Sequence, residues 1–173
     1  NKVFEIIEAK KIFNLNYNQL EILVHPKSYL HAIVKFNNGL SKLLVHDTNM
    51  IIPIFNSIYD NNEKKITTKK INIEILNNLN LKKVNNVKFP VEKIIKKLFE
   101  KDSLFETIVV SANDKLVNLF LNNKIKFSDI SIILLKICTL SEFNKFKLIA
   151  PKNIDEINNL ADYVSLKIDS LGV

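Results

Sequence analysis

The spacing of apolar residues changes along the first third of the chain. Apolar side chains recur at helical intervals from Val3 to Phe13 and predict a helix over about the first thirteen residues. A short strand is predicted over 21–24. Two apolar segments, 30–36 and 40–45, flank an Asn-Gly pair at Gly39 and predict a β-hairpin. Residues 50–59 then predict a short apolar helix.

The rest of the chain has a polar stretch followed by a helical one. Residues 60–88 are rich in Asn and Lys, and the alternation of Ile71, Ile73 and Ile75 predicts one strand inside this linker. From Pro90 onward the apolar residues return at helical spacing, separated by short breaks. The predicted helices cover residues 90–101, 104–122, 127–140 and 154–171. Four helices with short links favour a small bundle in which each helix turns one apolar face inward.

Composition narrows the possible classes of function. The chain has 173 residues, 47% of them hydrophobic, and a formal net charge of +7. The positive charge comes from lysine doublets such as Lys10-Lys11, which we interpret as solvated faces. No basic stripe is interleaved with aromatic residues, so no nucleic-acid partner is expected. Apolar runs are shorter than the roughly 20 residues that cross a bilayer, so no membrane partner is expected either.

The cysteine and glycine content excludes further sites. The one cysteine, Cys138, lies in an apolar run and is interpreted as a buried, inert thiol in a reducing compartment. Gly39 and Gly172 are the only glycines, so these residues contain no glycine-rich loop for a dinucleotide.

The most informative polar cluster lies at the start of the first predicted helix. On a helix, Lys2 and Glu5 are neighbours one turn apart, and so are Asn1 and Glu5. Unpaired N–H groups and the positive end of the helix dipole suit a phosphate, and a carboxylate is a hard oxygen ligand for Mg²⁺ or Mn²⁺. From spacing alone, an exposed Lys–Glu pair that binds nothing is the alternative.

Three histidines, His25, His31 and His46, lie close together in the sequence. Their spacing is poor for a zinc site, because Pro26 interrupts the strand that would place His25 and His31 on one face. Each is interpreted as a histidine beside a substrate pocket or as a structural one. The surroundings of Ser28 lack the pattern of a hydrolase nucleophile. Carboxylates in the later helices, such as Glu106, are interpreted as solvated.

Several segments resemble one enzyme family when read as strings. Residues 1–9, N-K-V-F-E-I-I-E-A, resemble the N-K-x-L-E-x-I-E-A segment of the 1-deoxy-D-xylulose 5-phosphate reductoisomerase family of the non-mevalonate isoprenoid pathway. Residues 25–31, H-P-K-S-Y-L-H, look like its H-P-Q-S-x-x-H. Residues 34–39 and 49–54 look like its V-x-[FY]-x-D-G and D-M-R-x-P-I, although Asn49 and Ile51 depart from the acid and the arginine.

The likeness continues in the helical region. Phe89-Pro90, residues 111–114 and residues 122–127 resemble the family segments [FY]-P-C-L, N-A-A-N-E and G-x-I-x-F. Motifs in one order are more specific than any single motif, and these cover nearly the whole chain. The chain is therefore similar to the C-terminal part of the family. The implied fold class is α+β, a mixed sheet portion of a catalytic domain (1–59), a linker (60–88) and a C-terminal four-helix bundle (89–173).

The resemblance also implies a function and a site. The family uses NADPH and Mn²⁺ or Mg²⁺ to convert a sugar phosphate into 2-C-methyl-D-erythritol 4-phosphate. On that pattern Lys2 and His31 are catalytic, and Glu5 is one of three metal carboxylates. The substrate is bound by Asn1, Lys2, Glu5, Ser28, His31 and Met50, and Met50 also contacts the nicotinamide.

Three further expectations follow from the resemblance. The parent enzyme is expected to be a homodimer in the cytoplasm or in a plastid-type organelle. The chain begins with Asn and lacks a nucleotide-binding half, so by itself it is expected to be inactive. The alternative is a module of the same origin that has lost catalysis and binds partners through its helices.

Overall fold

The helix predicted at the start of the chain is present. The computed structural model of the chain describes residues 1–59 and 64–172. Helix α1 spans Lys2–Phe13 and ends where Asn14 adopts a left-handed conformation with φ of 51°. Asparagine tolerates this conformation better than most residues, so it serves as a helix stop. Val3, Ile6 and Ile7 are buried, which places the apolar face of α1 against the core.

The predicted hairpin is also confirmed. Strand β2 (Leu30–Lys35) pairs antiparallel with β3 (Ser41–Val45), and Gly39 turns the chain between them with φ of 86°. A positive φ favours glycine because a β-carbon is strained there. Leu30 pairs with Val45 and Ala32 with Leu44, so His31 is the extra residue of a β-bulge.

The strand predicted at 21–24 is present in shorter form. Strand β1 covers Leu23–Val24 and pairs antiparallel with β4, Lys82–Lys83. The helix predicted at 50–59 is α2, Ile51–Ile58, whose start is fixed by a bond from the Ile51 N–H to the Asn49 side chain. Within the predicted linker, 60–88, residues 60–63 lie outside the described residues.

The strand predicted from Ile71, Ile73 and Ile75 is wrong. Residues Ile73–Asn77 form the short helix α3. The Asn72 side chain accepts a hydrogen bond from the Ile75 N–H at 2.9 Å and so caps the first turn. The cap favours a turn of helix, and the period-two alternation of isoleucines has no neighbouring strand to pair with among the described residues.

The helical region has one α-helix at its centre. The elements after the linker are a 3-10 helix Pro90–Lys97, α4 (Leu104–Leu121), α5 (Phe127–Ile137), a 3-10 helix Ser141–Leu148, and α6 (Ile154–Asp169). Helix α4 packs against α5, α6 and the second 3-10 helix, while α1 packs against the first. The five elements after the linker each contribute fully buried side chains, among them Ile94, Phe105, Ile108, Leu116, Ile137, Phe143, Val164 and Ile168.

The described chain forms two compact units. One contains residues 1–22 and those from 84 onward, and the other contains residues 23–83. The predicted α+β class is confirmed, whereas the predicted domain limits at 59/60 and 88/89 remain a prediction. Within the described residues, no helix combines the length and the apolar character needed to cross a bilayer.

Candidate functional site

The first turn of α1 brings together the three polar residues predicted there. The Lys2 ammonium lies 2.5 Å from the Glu5 carboxylate, and the two side chains are 63% and 51% exposed. Asn1 is the N-cap residue, and its backbone carbonyl accepts from the Glu5 N–H at 3.0 Å. Within the described part of the chain, the Asn1 side chain makes no capping bond. The turn therefore presents an amide, a cation and a carboxylate to solvent.

The other predicted site residues belong to the second compact unit. Ser28 lies in a turn with φ of 48°, and His31 is the bulged residue of β2. Met50 is 66% exposed immediately before α2. Because these residues belong to the other unit, a shared pocket with Asn1, Lys2 and Glu5 remains a prediction.

The histidines form a pair rather than a metal site. The imidazoles of His31 and His46 stack with ring centroids 3.6 Å apart and an interplanar angle of 2°. The His25 Nε2 atom instead accepts from the Leu30 N–H at 3.1 Å. Within residues 1–59 and 64–172, no three His, Cys, Asp or Glu side chains converge on a metal position. The assignment of Glu5 as a metal ligand therefore remains a prediction.

A network of polar side chains, part buried and part exposed, connects α1 to α4. The carboxylate of Glu106, which is 5% exposed, accepts from the Tyr17 hydroxyl at 2.6 Å and lies 2.8 Å from the Lys11 ammonium. Lys11 also donates to Asp102 at 3.0 Å, and the buried Lys10 lies 3.7 Å from the same carboxylate. These contacts tie the helix that carries Asn1, Lys2 and Glu5 to the start of α4.

The network shifts the pKa values of its members. Burial lowers the Lys11 pKa, but the bonds to Glu106 and Asp102 outweigh burial, so the pKa is raised. The bond from Lys11 is the main reason why the pKa of Asp102 is lowered. Burial, followed by the bond to Glu106, raises the pKa of Tyr17. The shifts of Lys11 and Asp102 favour their charged, ion-paired forms around neutral pH, and the shift of Tyr17 keeps its hydroxyl protonated as the donor to Glu106.

Sequence reasoning missed this network. Glu106 and Lys10 were interpreted as solvated, and both are buried. The interpretation is wrong because their partners come from distant parts of the chain, such as Tyr17 for Glu106, 89 positions away. The one signal available is that Lys10 falls in line with the apolar positions Val3, Ile6 and Ile7 on the inward face of α1.

Comparisons with known proteins agree with this arrangement of motifs. Residues 46–166 match the family model described as "DXP reductoisomerase C-terminal domain". A 1-deoxy-D-xylulose 5-phosphate reductoisomerase from Pelagibacter ubique is 76% identical over 173 residues, which are 100% of this chain and 45% of that protein. The relative from Sulfurihydrogenibium is 31% identical over 98% of the chain and 46% of its own length. The chain thus spans about half the length of these relatives.

Solved structures share the fold. A 1-deoxy-D-xylulose 5-phosphate reductoisomerase from Zymomonas mobilis in complex with NADPH superimposes with a TM-score of 0.83 at 22% identity, covering 99% of this chain and 44% of that one. A DOX-P reductoisomerase in complex with NADPH, fosmidomycin and magnesium gives 0.84 at 21% identity, covering 98% and 43%. At such identities the likeness shows the fold alone. Since the family model covers most of the sequence, the chain belongs to the family of DXP reductoisomerase C-terminal domains.

Proposed function

We propose that this chain is the C-terminal part of a reductoisomerase that uses NADPH and a divalent metal to convert 1-deoxy-D-xylulose 5-phosphate into 2-C-methyl-D-erythritol 4-phosphate. The observation that carries the proposal is the 76% identity, over the whole chain, to a relative with that name. The exposed cluster at the start of α1 supports it with suitable chemistry, because it holds groups for an anionic substrate and a metal on one helical turn.

Asn1 and Lys2 bind the substrate in this proposal. The first N–H groups of a helix have no partner inside the helix and attract anions. The Lys2 ammonium adds a full positive charge next to them, and the Asn1 amide adds a directional donor. Lys2 is held by Glu5 in an exposed pair, and such pairs contribute only about 0–1 kcal/mol. Lys2 can therefore exchange this contact for a substrate oxygen at little cost.

Glu5 is the proposed metal ligand. Its carboxylate is half exposed and one turn from Asn1, so a cation can approach it from solvent. Mg²⁺ and Mn²⁺ prefer such oxygen ligands, and either metal, when bound, polarises neighbouring substrate oxygens. A single carboxylate does not complete a site, so the remaining ligands have to come from the rest of the parent enzyme.

The second unit contributes three proposed site residues, Ser28, His31 and Met50. Ser28 and His31 offer a hydroxyl and an imidazole for hydrogen bonds to a sugar phosphate, and His31 is the candidate for moving a proton. The exposed thioether of Met50 is suited to pack against the nicotinamide of NADPH. With two glycines in the chain, the glycine-rich phosphate loop for NADPH also has to lie in another part of the parent.

Assembly and location are proposed from the family. We keep a homodimer as the oligomeric state and the cytoplasm as the location. A plastid-type organelle is the second option for location, supported by a relative named as apicoplastic from Plasmodium falciparum, 31% identical over 148 residues.

The test is a chimera in which these 173 residues replace the matching part of the Pelagibacter ubique relative. We expect the chimera to consume NADPH in the presence of the substrate and Mn²⁺, and the 173-residue chain alone to be inactive. Lys2→Ala should lower kcat/KM by roughly 10²-fold, as expected for loss of a charged group that contacts the reacting substrate.

The matched control is Lys124→Ala, which removes another exposed lysine of the same unit. It should leave kcat/KM unchanged. A folded but inactive chimera would contradict the proposal and favour the helical module without catalysis. Equal effects of the two lysine substitutions would remove Lys2 from the site.

A further inference from the structure

His31 is held by two contacts to a single residue, His46. The two rings lie face to face with centroids 3.6 Å apart and planes within 2° of parallel. In addition, the His31 Nε2 atom lies 3.1 Å from the backbone carbonyl of His46. The stack fixes the plane of the His31 ring, and the hydrogen bond fixes its rotation within that plane.

The backbone explains why these two rings meet. His31 is the extra residue of the bulge in β2, and bulges redirect a side chain out of the regular alternation of a strand. His46 directly follows β3, and its N–H donates to the carbonyl of Tyr29 at 3.3 Å. Tyr29 is buried and its hydroxyl accepts from the Asn72 N–H at 3.0 Å, so the segment under His46 is anchored.

His46 is itself oriented. Its Nδ1 atom donates to the backbone carbonyl of Asp47, next in the chain. A ring tethered in this way presents a fixed face to His31, instead of turning with its own side-chain torsions.

The contact to a carbonyl assigns the tautomer of His31. A backbone carbonyl can only accept, so the Nε2 atom of His31 has to carry the hydrogen. In the neutral ring Nδ1 is then the acceptor. A histidine fixed in this state can accept a hydrogen bond from a substrate hydroxyl and take up a proton at a defined atom.

We infer that His46 is a positioning residue for His31: its backbone carbonyl accepts from Nε2–H and so sets the tautomer, while its stacked ring holds the His31 imidazole where this bond forms and directs Nδ1 to the substrate. The ligand named here, a sugar phosphate hydroxyl, rests on the proposed function. The effect on the His31 tautomer does not depend on that function.

The first experiment measures the tautomer by long-range ¹H–¹⁵N NMR of the imidazoles in the full 173-residue chain, at a pH where they are neutral. We expect one protonated Nε2 signal and one unprotonated Nδ1 signal for His31. His46→Ala should move these two ¹⁵N shifts toward each other, since the ring can then rotate and both tautomers are populated. His46→Phe restores a flat ring and should return the shifts toward the original values. The signals of His25, bonded to Leu30, serve as the control for intact folding.

The second experiment measures kinetics in the chimera described above. His46→Ala should lower kcat/KM by roughly 10-fold, by analogy with the loss of partners that orient metal-bound histidines. His46→Phe should recover most of this loss.

The results separate the two proposals. Unchanged His31 shifts in His46→Ala, or an Nδ1–H tautomer in the unsubstituted chain, would overturn the positioning role. Shifts that respond while kcat/KM does not would also overturn it, since the orientation would then serve no reaction. An inactive parent chimera would refute the proposed function, and the NMR result would still decide whether His46 sets the tautomer.

Discussion

Removal of the Tyr17 hydroxyl should destabilise the chain far more than removal of the Tyr163 hydroxyl. Each hydroxyl donates to a glutamate at 2.6 Å, Tyr17 to Glu106 and Tyr163 to Glu142. The two bonds differ in their surroundings. Tyr17 is 8% exposed and Glu106 is 5% exposed, whereas Tyr163 is 45% exposed. The pair of substitutions to Phe thus compares one hydrogen bond in two environments.

The size of the effect follows from what each substitution leaves behind. Tyr17→Phe keeps the ring, which packs under the Lys10 ammonium 5.3 Å from its centroid, and removes only the oxygen. One oxygen of the buried Glu106 carboxylate then loses its donor, while Lys11 stays beside the other. Hydrogen bonds to charged groups contribute about 1.5–3 kcal/mol to the free energy of unfolding, and we expect a loss in this range. At Tyr163, water replaces the lost donor to Glu142, so Tyr163→Phe should be silent.

Urea denaturation of the full chain, followed by the helical circular dichroism signal, measures the difference. With the usual slopes of about 1–3 kcal/mol per molar urea, Tyr17→Phe should lower the midpoint by on the order of 1 M. A double-mutant cycle with Glu106→Gln should show a coupling energy between the two side chains. Equal midpoints for Tyr17→Phe and Tyr163→Phe would refute the claim that the network stabilises the contact between α1 and α4.

Three further predictions concern single positions. Because the pKa of Asp102 is lowered in the folded chain by Lys11, its contribution to stability is present above its unfolded pKa of about 3.9 and is lost as the pH falls through the folded value. Asp102→Asn should therefore lower the free energy of unfolding at neutral pH and flatten the decline of that free energy below about pH 4. Urea titrations at several pH values measure this, and an unchanged decline in the variant would contradict it. Gly39→Ala should lower the free energy of unfolding by about 1 kcal/mol or more because φ is positive there, whereas Gly39→Asn, which tolerates such a φ better, should lose less, and equal losses would contradict the turn geometry. Cys138 is 1% exposed and burial raises its pKa to about 11, so it should resist alkylation at pH 8 until urea unfolds the chain, and rapid labelling of the native chain would contradict its burial.

Local patterns in the sequence predicted much of the fold. The helical spacing of apolar residues predicted α1, α4 and α6, and the Asn-Gly pair at Gly39 predicted the hairpin. These succeed because the determining interactions are short in sequence, within a helical turn or a two-strand turn. The strand proposed at Ile73 failed for a local reason as well, since the cap from Asn72 favours a helical turn over the alternating pattern.

Features that depend on distant residues could not be predicted. Glu106 is a charged residue on a helix, which in the sequence indicates a solvated position. Its burial is compensated because Tyr17 and Lys11, both far from it in the sequence, contact its carboxylate. The stack of His31 on His46 depends on a bulge, which no spacing rule locates. For the candidate site, the residues Lys2 and Glu5 were identified by resemblance, and the structure confirms only that they share a turn.

The central claim is that the first turn of α1 supplies a metal ligand and substrate contacts to a reductoisomerase. The most direct measurement is kcat of the chimera across a Mn²⁺ titration for Glu5→Gln and for Glu8→Gln, which removes an exposed carboxylate of the same helix. Gln keeps the shape of Glu and removes the charge that a hard cation requires. We predict that Glu5→Gln shifts the titration to higher Mn²⁺ and lowers kcat by roughly 10²-fold or more, while Glu8→Gln behaves like the parent. Superimposable titrations for the two variants would contradict the claim and leave Glu5 as a surface charge paired with Lys2.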